Sequence, residues 1–258
     1  MAAIEKRLNE CMDLEIAGKT FIVTGGTDGL GLATAQVLLN EGANVLVSGR
    51  TETKFTAMQA SLNYPGDRIA FLRGDNADPA LPDRLRSTVL ERWGRLDGML
   101  VSVGGPSATK ALTTNDDAWR GAFESVFLGT VRLLRDLSPA VSDGGSIVIV
   151  LAISAKEASP VLTISNGLRP GLALLAKSFA EELGPRAVRV NALLPNLFAT
   201  ERMKSLIADR EPPVANIALK RIGNPAEFGR MATILLSPVS SYVTGASISI
   251  DGGQLKSL

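Results

Sequence analysis

The sequence predicts one α/β domain built on a doubly wound parallel sheet with helices on both faces. Short apolar, β-branched runs alternate with stretches of helical spacing along the chain, and several of these runs are followed at once by glycine. This alternation is typical of parallel strands that are joined by helices in right-handed crossovers. The 258 residues show no composition shift or linker, so we expect a single large domain.

The first unit, residues 19–39, predicts a strand, a tight turn and a helix. The turn carries Gly25, Gly29 and Gly31, which can adopt positive φ angles and let a ligand approach the backbone. The helix that follows directs unpaired N–H groups and the positive end of its dipole at the same place, which suits a pyrophosphate. A second strand at 44–48 completes the unit, so we predict a dinucleotide site, with a purely structural turn as the alternative.

The remaining elements follow from the same patterns. Further strands are predicted at residues 68–73, 99–103, 146–151, 188–194 and 247–250, and helices at 53–62, 82–93, 116–138, 172–183 and 225–236. The run at 146–151 is continuously apolar, as expected of a strand that is buried on both faces. Ligands of such sheets bind beyond the carboxyl ends of the strands, so the turns there are expected to line one edge.

Composition excludes several classes of function. A net charge of +1 offers no basic surface for nucleic acid, and the absence of histidine excludes His-based acid–base chemistry and leaves no good set of metal ligands. Cys11 is the only cysteine, so no intramolecular disulfide can form and a cytoplasmic location is expected. Residues 1–14 lack the apolar core of a secretory signal, and no uninterrupted apolar stretch of the sequence is long enough to span a membrane. Ile4, Leu8 and Met12 are spaced as one stripe of a helix. We expect these residues to form an extension that packs on the domain or on a neighbouring subunit.

The spacing T-G-x-x-x-G-x-G in the glycine-rich turn resembles the short-chain dehydrogenase/reductase family, and the resemblance extends over about residues 14–253. The stretch from residue 152 onward is similar to a 3-oxoacyl-ACP-reductase-like subgroup that replaces the family's Tyr and Lys by Ser-Asn-x-x-Arg. The resemblance implies a Rossmann-like domain at 15–258, a substrate loop at about 200–221 and a small-molecule substrate. It also implies a homo-oligomer, a dimer or tetramer, formed through the long helices at 116–138 and 168–183.

The segment Ser48-Gly49-Arg50 at the end of the second strand favours NADP(H) over NAD(H). NAD-selective sites commonly place a carboxylate here for the ribose 2′-hydroxyl, whereas a guanidinium suits a 2′-phosphate. Asp28 argues against a phosphate nearby, because a carboxylate repels it. NAD(H) is therefore the alternative cofactor, and the alternative for Arg50 is a solvated side chain. The expected cofactor-binding residues are Gly25, Thr27, Asp28, Gly29, Leu30, Gly31, Arg50, Asp75, Asn76, Val103, Gly104, Arg169, Pro195, Phe198 and Thr200.

The catalytic positions of the family carry unusual residues in this sequence. In the family a Tyr donates the proton, a Lys lowers the pKa of that Tyr and holds the nicotinamide ribose, a Ser orients the carbonyl and an Asn supports a proton-relay water. These positions match Ser165, Arg169, Ala152 and Val126, respectively. A serine hydroxyl is a far weaker acid than a phenol, and arginine keeps a fixed charge but cannot relay a proton at neutral pH.

Four residues are therefore candidates for an atypical catalytic site: Ser154, Ser165, Arg169 and Lys156. Arg169 is expected to face the nicotinamide ribose as an electrostatic clamp. Ser154 lies two residues from the usual serine position. For Ser154 and Lys156 the alternative is an exposed loop hydroxyl and a solvated lysine.

Three hypotheses for the function follow. The first is a divergent NADP(H)-dependent oxidoreductase that acts on a carbonyl or an activated alkene. The second is a cofactor-binding protein without dehydrogenase turnover, which acts as a sensor, a scaffold or a partner subunit. The third is a non-redox enzyme that reuses the pocket for elimination or cyclisation. The sequence identifies no substrate, because the loop at about 200–221 belongs to the part of such folds that varies with specificity.

Overall fold

A parallel sheet of seven strands runs through the computed structural model, which describes residues 12–61, 66–207 and 211–257. The strands are β1 Thr20–Thr24, β2 Asn44–Gly49, β3 Ile69–Arg73, β4 Gly98–Ser102, β5 Ser146–Val150, β6 Arg189–Pro195 and β7 Ser247–Ile250. They lie in the order β3-β2-β1-β4-β5-β6-β7, and each neighbouring pair is parallel. The strand order reverses between β1 and β4, which is where such sheets bind ligands.

Helices cover both faces of this sheet. They are α1 Gly29–Asn40, α2 Glu52–Ser61, α3 Leu81–Trp93, α4 Asp116–Ala122, α5 Gly129–Leu137, α6 Thr163–Leu183, α7 Glu201–Ile207 and α8 Pro225–Leu236. One apolar cluster joins the sheet to α3, α5 and α6, and a second joins it to α1 and α8. Strand β1 serves both clusters, because Ile22 belongs to the first whereas Phe21 and Val23 belong to the second. The predicted doubly wound sheet is confirmed.

The start predicted for the helix at 172–183 is wrong, because α6 begins nine residues earlier and continues through Pro170. Proline and glycine disfavour helix in isolation, and for that reason the sequence placed these residues outside it. The glycines are needed for packing: a Cβ on Gly167 would lie 2.8 Å from the Trp119 ring, and one on Gly171 would lie 3.1 Å from Phe127. Tertiary contact therefore overrides the local preference.

The helix predicted at 116–138 is not continuous. A π-helical segment, Phe123–Leu128, separates α4 from α5 and contains Val126. The rings of Phe123 and Phe127 stack at its surface with centroids 5.2 Å apart. The hydroxyl of Thr130, in the first turn of α5, donates a hydrogen bond of 2.6 Å to the carbonyl of Val126 in the π-helical segment. Such segments occur mostly as single turns inside an α-helix, and the apolar spacing of 116–138 predicted one continuous helix.

Some predictions fall outside the described residues. Residues 1–11 of the N-terminal extension lie outside them, so the role of the extension stays a prediction. Residues 208–210 of the predicted substrate loop also lie outside them. In the described part of that loop, α7 is followed by a short helical turn at Val214–Asn216. Among the helices of the described ranges, none combines the length and the apolar character needed to cross a bilayer.

Candidate functional site

The glycine-rich turn between β1 and α1 lies beside the end of β4. The hydroxyl of Thr24 joins the two strands, donating to the carbonyl of Ser102 and accepting from its N–H, both at 2.9 Å. Gly25 and Gly29 have φ angles of +60° and +54°, and a Cβ on Gly31 would lie 2.3 Å from the Gly25 carbonyl oxygen. The backbone path therefore requires glycine, and it leaves the first N–H groups of α1 open to an anion.

The segment after β6 closes over this turn. Strand β6 ends at Pro195, and the side chain of Thr200 lies 3.4 Å from the position of a Cβ on Gly29. The side chain of Phe198 points the other way: it is buried and packs edge to face on Phe228, with ring centroids 5.9 Å apart. Thr200 thus faces the expected pyrophosphate position, whereas Phe198 can offer a ligand only its backbone.

An open cleft of about 450 Å³ follows the carboxyl ends of β2 and β3. It is lined by Arg50, Arg73, Gly74, Asp75, Asp78 and Arg84. Arg84 is paired with Asp78 at 2.6 Å, but within the described residues the guanidinium groups of Arg50 and Arg73 have no partner. Two uncommitted guanidinium groups suit a phosphate. Arg73 was not predicted, although its place at the end of β3, next to β2, is a signal in the sequence.

The carboxylate of Asp28 does not stand alone in the glycine-rich turn, because Lys54 of α2 forms an ion pair with it. The pair offsets the repulsion that made Asp28 a counter-signal for phosphate. Thr27 lies directly against Gly49, where a Cβ would be 2.8 Å from the threonine hydroxyl. Leu30 is half-buried at the start of α1.

The turn after β3 is compact and packs against α5. The carboxylate of Asp75 accepts a hydrogen bond of 3.0 Å from the backbone N–H two residues on. A Cβ on Gly129, the first residue of α5, would lie 2.3 Å from the carbonyl oxygen of Asn76. Val103, half-buried, and Gly104, exposed, follow β4 at the same edge of the sheet.

The guanidinium of Arg169 is buried at the end of β5, with 5% of the residue exposed. One nitrogen donates 3.2 Å to the carbonyl of Val150, while Nε has no hydrogen-bond partner. Burial, with a smaller contribution from the charge of Arg202, lowers the pKa of Arg169 to about 10, so it stays protonated at neutral pH. A buried cation with one hydrogen bond is costly, and this indicates that a ligand completes its coordination.

The serine candidates lie close to this guanidinium. The turn Ile153–Ala155 after β5 packs against α6, and the hydroxyl of Ser154 is buried there without a partner in the described residues. Ser165 precedes Arg169 by one helical turn and is also buried. Lys156 lies on the exposed side of the same loop. Ser154, Ser165 and Arg169 are therefore buried on elements that pack against each other, whereas Lys156 is exposed.

Two further contacts hold the loop after β5 in place. The side-chain amide of Asn166 donates to the carbonyl of Ser159 at 2.8 Å and accepts from its N–H at 3.0 Å. The carboxylate of Glu157 accepts from the backbone N–H groups of Lys256 and Ser257, at 3.1 and 3.0 Å. These bonds lower the pKa of Glu157 below its usual value. Asn166 and Glu157 were not predicted, because their partners are distant or backbone groups that residue spacing does not reveal.

The two other family positions offer no polar side chain. Val126 is buried in the core within the π-helical segment, and Ala152 follows β5 just before the turn that carries Ser154. Whatever replaces the family's carbonyl-orienting serine therefore has to come from another position, and Ser154 is the nearest buried hydroxyl along the chain.

Arg202 is a site residue that the sequence analysis did not single out. It lies on α7, and its guanidinium reaches the loop after β4, where it donates 2.7 Å to the carbonyl of Pro106. A Cβ on Gly105 would lie 2.7 Å from the same nitrogen. Partial burial lowers the pKa of Arg202. Its place in the predicted substrate loop was a signal, but the sequence could not tell which way the side chain points.

Comparison with known proteins agrees with this geometry. Residues 25–254 match the family model described as enoyl-(acyl carrier protein) reductase. An oxidoreductase from Sarocladium schorii is 31% identical over 242 residues, which cover 92% of this chain and 96% of the relative. The chain belongs to the short-chain dehydrogenase/reductase family. The 3-oxoacyl-[acyl-carrier-protein] reductase FabG of Chlamydia pneumoniae is 30% identical over 248 residues, 94% of this chain and 99% of that protein.

Solved structures of short-chain dehydrogenases/reductases share the whole fold. A glucose/ribitol dehydrogenase of this family from Brucella melitensis has a TM-score of 0.89 and 27% identity, covering 95% of this chain and all of the other. A short-chain oxidoreductase from Pseudomonas aeruginosa PAO1 with an atypical catalytic centre was solved with NADPH bound. It has a TM-score of 0.88 and 26% identity, covering 94% of this chain and 99% of that one. The resemblance predicted from the sequence is confirmed, and members of this family are oxidoreductases that bind NAD(P)(H).

Proposed function

We propose that this chain is an NADP(H)-dependent oxidoreductase that acts on a carbonyl or an activated alkene, with an atypical catalytic site. The observation that carries the proposal is the buried guanidinium of Arg169, which has one hydrogen bond and an unpartnered Nε. Such a group needs an external acceptor, and its position on α6 directs it to the edge of the sheet where the cofactor turns lie. The NADPH-bound relative with an atypical centre supports the same assignment.

The residues present fit NADP(H). The glycine-rich turn would hold the pyrophosphate, because its backbone path excludes a Cβ at Gly25 and Gly31. Arg50 and Arg73 would hold the 2′-phosphate, since both guanidinium groups are uncommitted within the described residues. Arg169 would donate to the nicotinamide ribose. When bound, the cofactor supplies the hydride.

The chain's own task is to stabilise the oxyanion of the substrate. Arg169 provides a fixed positive charge at the site. The hydroxyls of Ser154 and Ser165 donate hydrogen bonds to the same oxygen. The serine hydroxyls keep their protons and only donate hydrogen bonds; the oxyanion takes its proton from a solvent water molecule, and bulk solvent neutralises the hydroxide that remains. Lys156 is exposed, and we give it no role.

Titration of the purified protein with NADPH and with NADH, followed by nicotinamide fluorescence, tests the cofactor half. We expect NADPH to bind more tightly, and Arg50→Ala or Arg73→Ala to weaken NADPH about 10- to 100-fold while leaving NADH unchanged. Arg84→Ala is the matched control in the same cleft, because Arg84 is already paired with Asp78. If neither cofactor binds, the oxidoreductase proposal fails.

A screen of aldehydes, ketones and activated alkenes for loss of NADPH absorbance tests the chemical half. Arg169→Met and Ser154→Ala should each lower kcat, because each removes a donor to the developing oxyanion. Tight NADPH binding without turnover of any compound would favour the cofactor-binding protein without dehydrogenase activity. Chemical conversion of a compound without change in the cofactor's absorbance would favour the non-redox enzyme.

We also propose that the protein forms a homo-oligomer through α6 and the helices that flank the π-helical segment. Phe123, 45% exposed, stacks on Phe127, and Phe127 lies against Gly171 of α6. Leu174 is 66% exposed one helical turn beyond Gly171. These side chains form one apolar surface, which is the kind of surface that a second subunit covers.

A further inference from the structure

Two arginine side chains reach the space beyond the ends of β4 and β5. These strands are neighbours, with Ser102 paired to Val150 at their carboxyl ends. Arg169 donates to the carbonyl of Val150, and Arg202 donates to that of Pro106, four residues after β4. Each guanidinium is thus fixed by a single backbone carbonyl, and each keeps donor groups for something else.

Neither guanidinium has a counter-ion among the described residues. The carboxylate of Glu201, adjacent to Arg202, pairs with Lys204 at 2.6 Å. Glu157, on the loop after β5, is held by backbone N–H groups of the chain's end. The two positive charges also repel each other, since the charge of Arg202 adds to the lowering of the pKa of Arg169. Arg169 is buried and Arg202 is exposed, and two unneutralised cations beyond the ends of neighbouring strands favour the binding of an anion there.

The cofactor does not bring that anion. The phosphates of NADP(H) are expected on the glycine-rich turn and between Arg50 and Arg73, whereas the reduced nicotinamide end carries no charge. Arg202 lies away from these places: its guanidinium is against Gly105, although Thr200, only two residues earlier, lies on Gly29. The anion therefore has to come with the substrate.

We infer that the substrate carries a carboxylate, which Arg202 binds while Arg169 faces the reacting oxygen; this rests on the proposed oxidoreductase function. The substrate class is then an oxo acid or an α,β-unsaturated acid rather than a neutral carbonyl compound. A guanidinium is the group best suited to this task, because its planar fork matches a carboxylate. Gly105 permits the arrangement, since any side chain there would displace the guanidinium of Arg202.

The test compares acids with their methyl esters on the NADPH-loaded protein. The probes are acetoacetate, levulinate, phenylglyoxylate and crotonate, each against its ester, with binding measured by calorimetry and turnover by loss of NADPH absorbance. At least one acid should bind about 10- to 100-fold more tightly than its ester. Arg202→Met should remove that preference, Arg202→Lys should keep part of it, and Gly105→Ala should weaken it by moving Arg202. Arg120→Met, which removes an exposed arginine that pairs with Asp116 and Asp117 on α4, is the control and should change nothing.

The outcomes separate this inference from the proposed function. Unchanged NADPH affinity in Arg202→Met, together with loss of acid binding, supports the inference. If NADPH affinity falls in Arg202→Met, the residue serves the cofactor and the inference is overturned. The inference is also overturned if the unaltered protein prefers no acid over its ester. Turnover of the esters in that case would still support the proposed oxidoreductase function. Failure of NADPH to bind overturns both.

Discussion

At the scale of single residues, two buried arginines illustrate how a cation is used for stability or for function. Arg189 of β6 donates to the carbonyls of Leu235 and Ser237 and to the hydroxyl of Ser240, at 2.7 to 2.9 Å. The two carbonyls lie at the end of α8, where a positive charge is favoured. Arg169 is buried to the same extent but has a single hydrogen bond. The hydrogen bonds of Arg189 come from the fold, whereas we propose that a ligand supplies the missing ones of Arg169.

This contrast predicts opposite effects of the same substitution. Arg169→Met should raise the free energy of unfolding of the unliganded protein by about 1–2 kcal/mol, because it removes an uncompensated buried charge. Arg189→Met should lower that free energy by about 2–4 kcal/mol, because it removes three buried hydrogen bonds at the end of α8. Urea unfolding of both variants measures the difference. Equal destabilisation by the two substitutions would contradict the view that Arg169 is kept for binding.

A second residue-scale prediction concerns the glycine-rich turn. Gly31→Ala would place a Cβ 2.3 Å from the carbonyl oxygen of Gly25, and neither group belongs to a flexible side chain. The turn would have to open, so NADPH affinity should fall more than about 100-fold. Gly121→Ala is the control, because nothing lies within 4 Å of its Cβ position. Fluorescence titration measures both, and circular dichroism checks that Gly31→Ala remains folded.

At the scale of elements, the start of α8 shows how a helix end is fixed. Asn224 and Glu227 form a capping box, and Arg221 donates to both carboxylate oxygens of Glu227 at 2.9 and 2.8 Å. These bonds and one from the N–H of Asn224 hold the pKa of Glu227 at about 2, below its usual value of 4.5. Because the last part of the substrate loop ends here, the same contacts also anchor that loop.

The lowered pKa predicts a pH dependence of stability. An acid with a lowered folded-state pKa stabilises the fold fully above its unfolded value, and the stabilisation is lost as the pH falls through the folded value. Glu227→Gln should therefore lower the Tm at neutral pH, and its difference from the unaltered protein should shrink between pH 4.5 and about 2. Glu201→Gln, whose carboxylate has one exposed lysine as partner, is the control and should have little effect at any pH. A difference in Tm for Glu227→Gln that does not change with pH would contradict the role of this carboxylate.

At the scale of the whole molecule, the doubly wound sheet brings every cofactor turn to one edge and leaves an apolar surface on the helices. The surface formed by Phe123, Phe127 and Leu174 lies on the face of α6 and of the π-helical segment that points away from the sheet. Phe123 and Leu174 are largely exposed, so the fold itself does not need these two side chains to be apolar.

Leu174→Glu and Phe123→Glu should each shift the protein from an oligomer to a monomer, because a charge at the centre of an apolar contact is not solvated there. Light scattering coupled to gel filtration measures the mass. Leu112→Glu is the matched control: Leu112 is fully exposed and lies outside this surface, so its replacement should leave the mass unchanged. An unaltered protein that is already monomeric would refute the proposed oligomer.

The sequence by itself determined the sheet, the glycine-rich turn and the family, since strand and helix periodicity and the glycine spacing are local properties. It also indicated Arg169 and Ser154 as candidates, through the resemblance. It misplaced the start of α6, because the packing of Trp119 and Phe127 against glycines outweighs the local preference of glycine and proline against helix. It also did not reveal the π-helical segment.

Only the tertiary structure decided which side chains share the site. Lys156 and Ser154 are two residues apart in sequence, but the lysine is exposed, whereas the serine hydroxyl is buried without a partner in the described residues. Arg202 comes from a loop remote in sequence and reaches the loop after β4, from where its charge adds to the lowering of the pKa of Arg169. The direction of a side chain and the lack of a counter-ion depend on contacts between distant segments, and no local pattern encodes them.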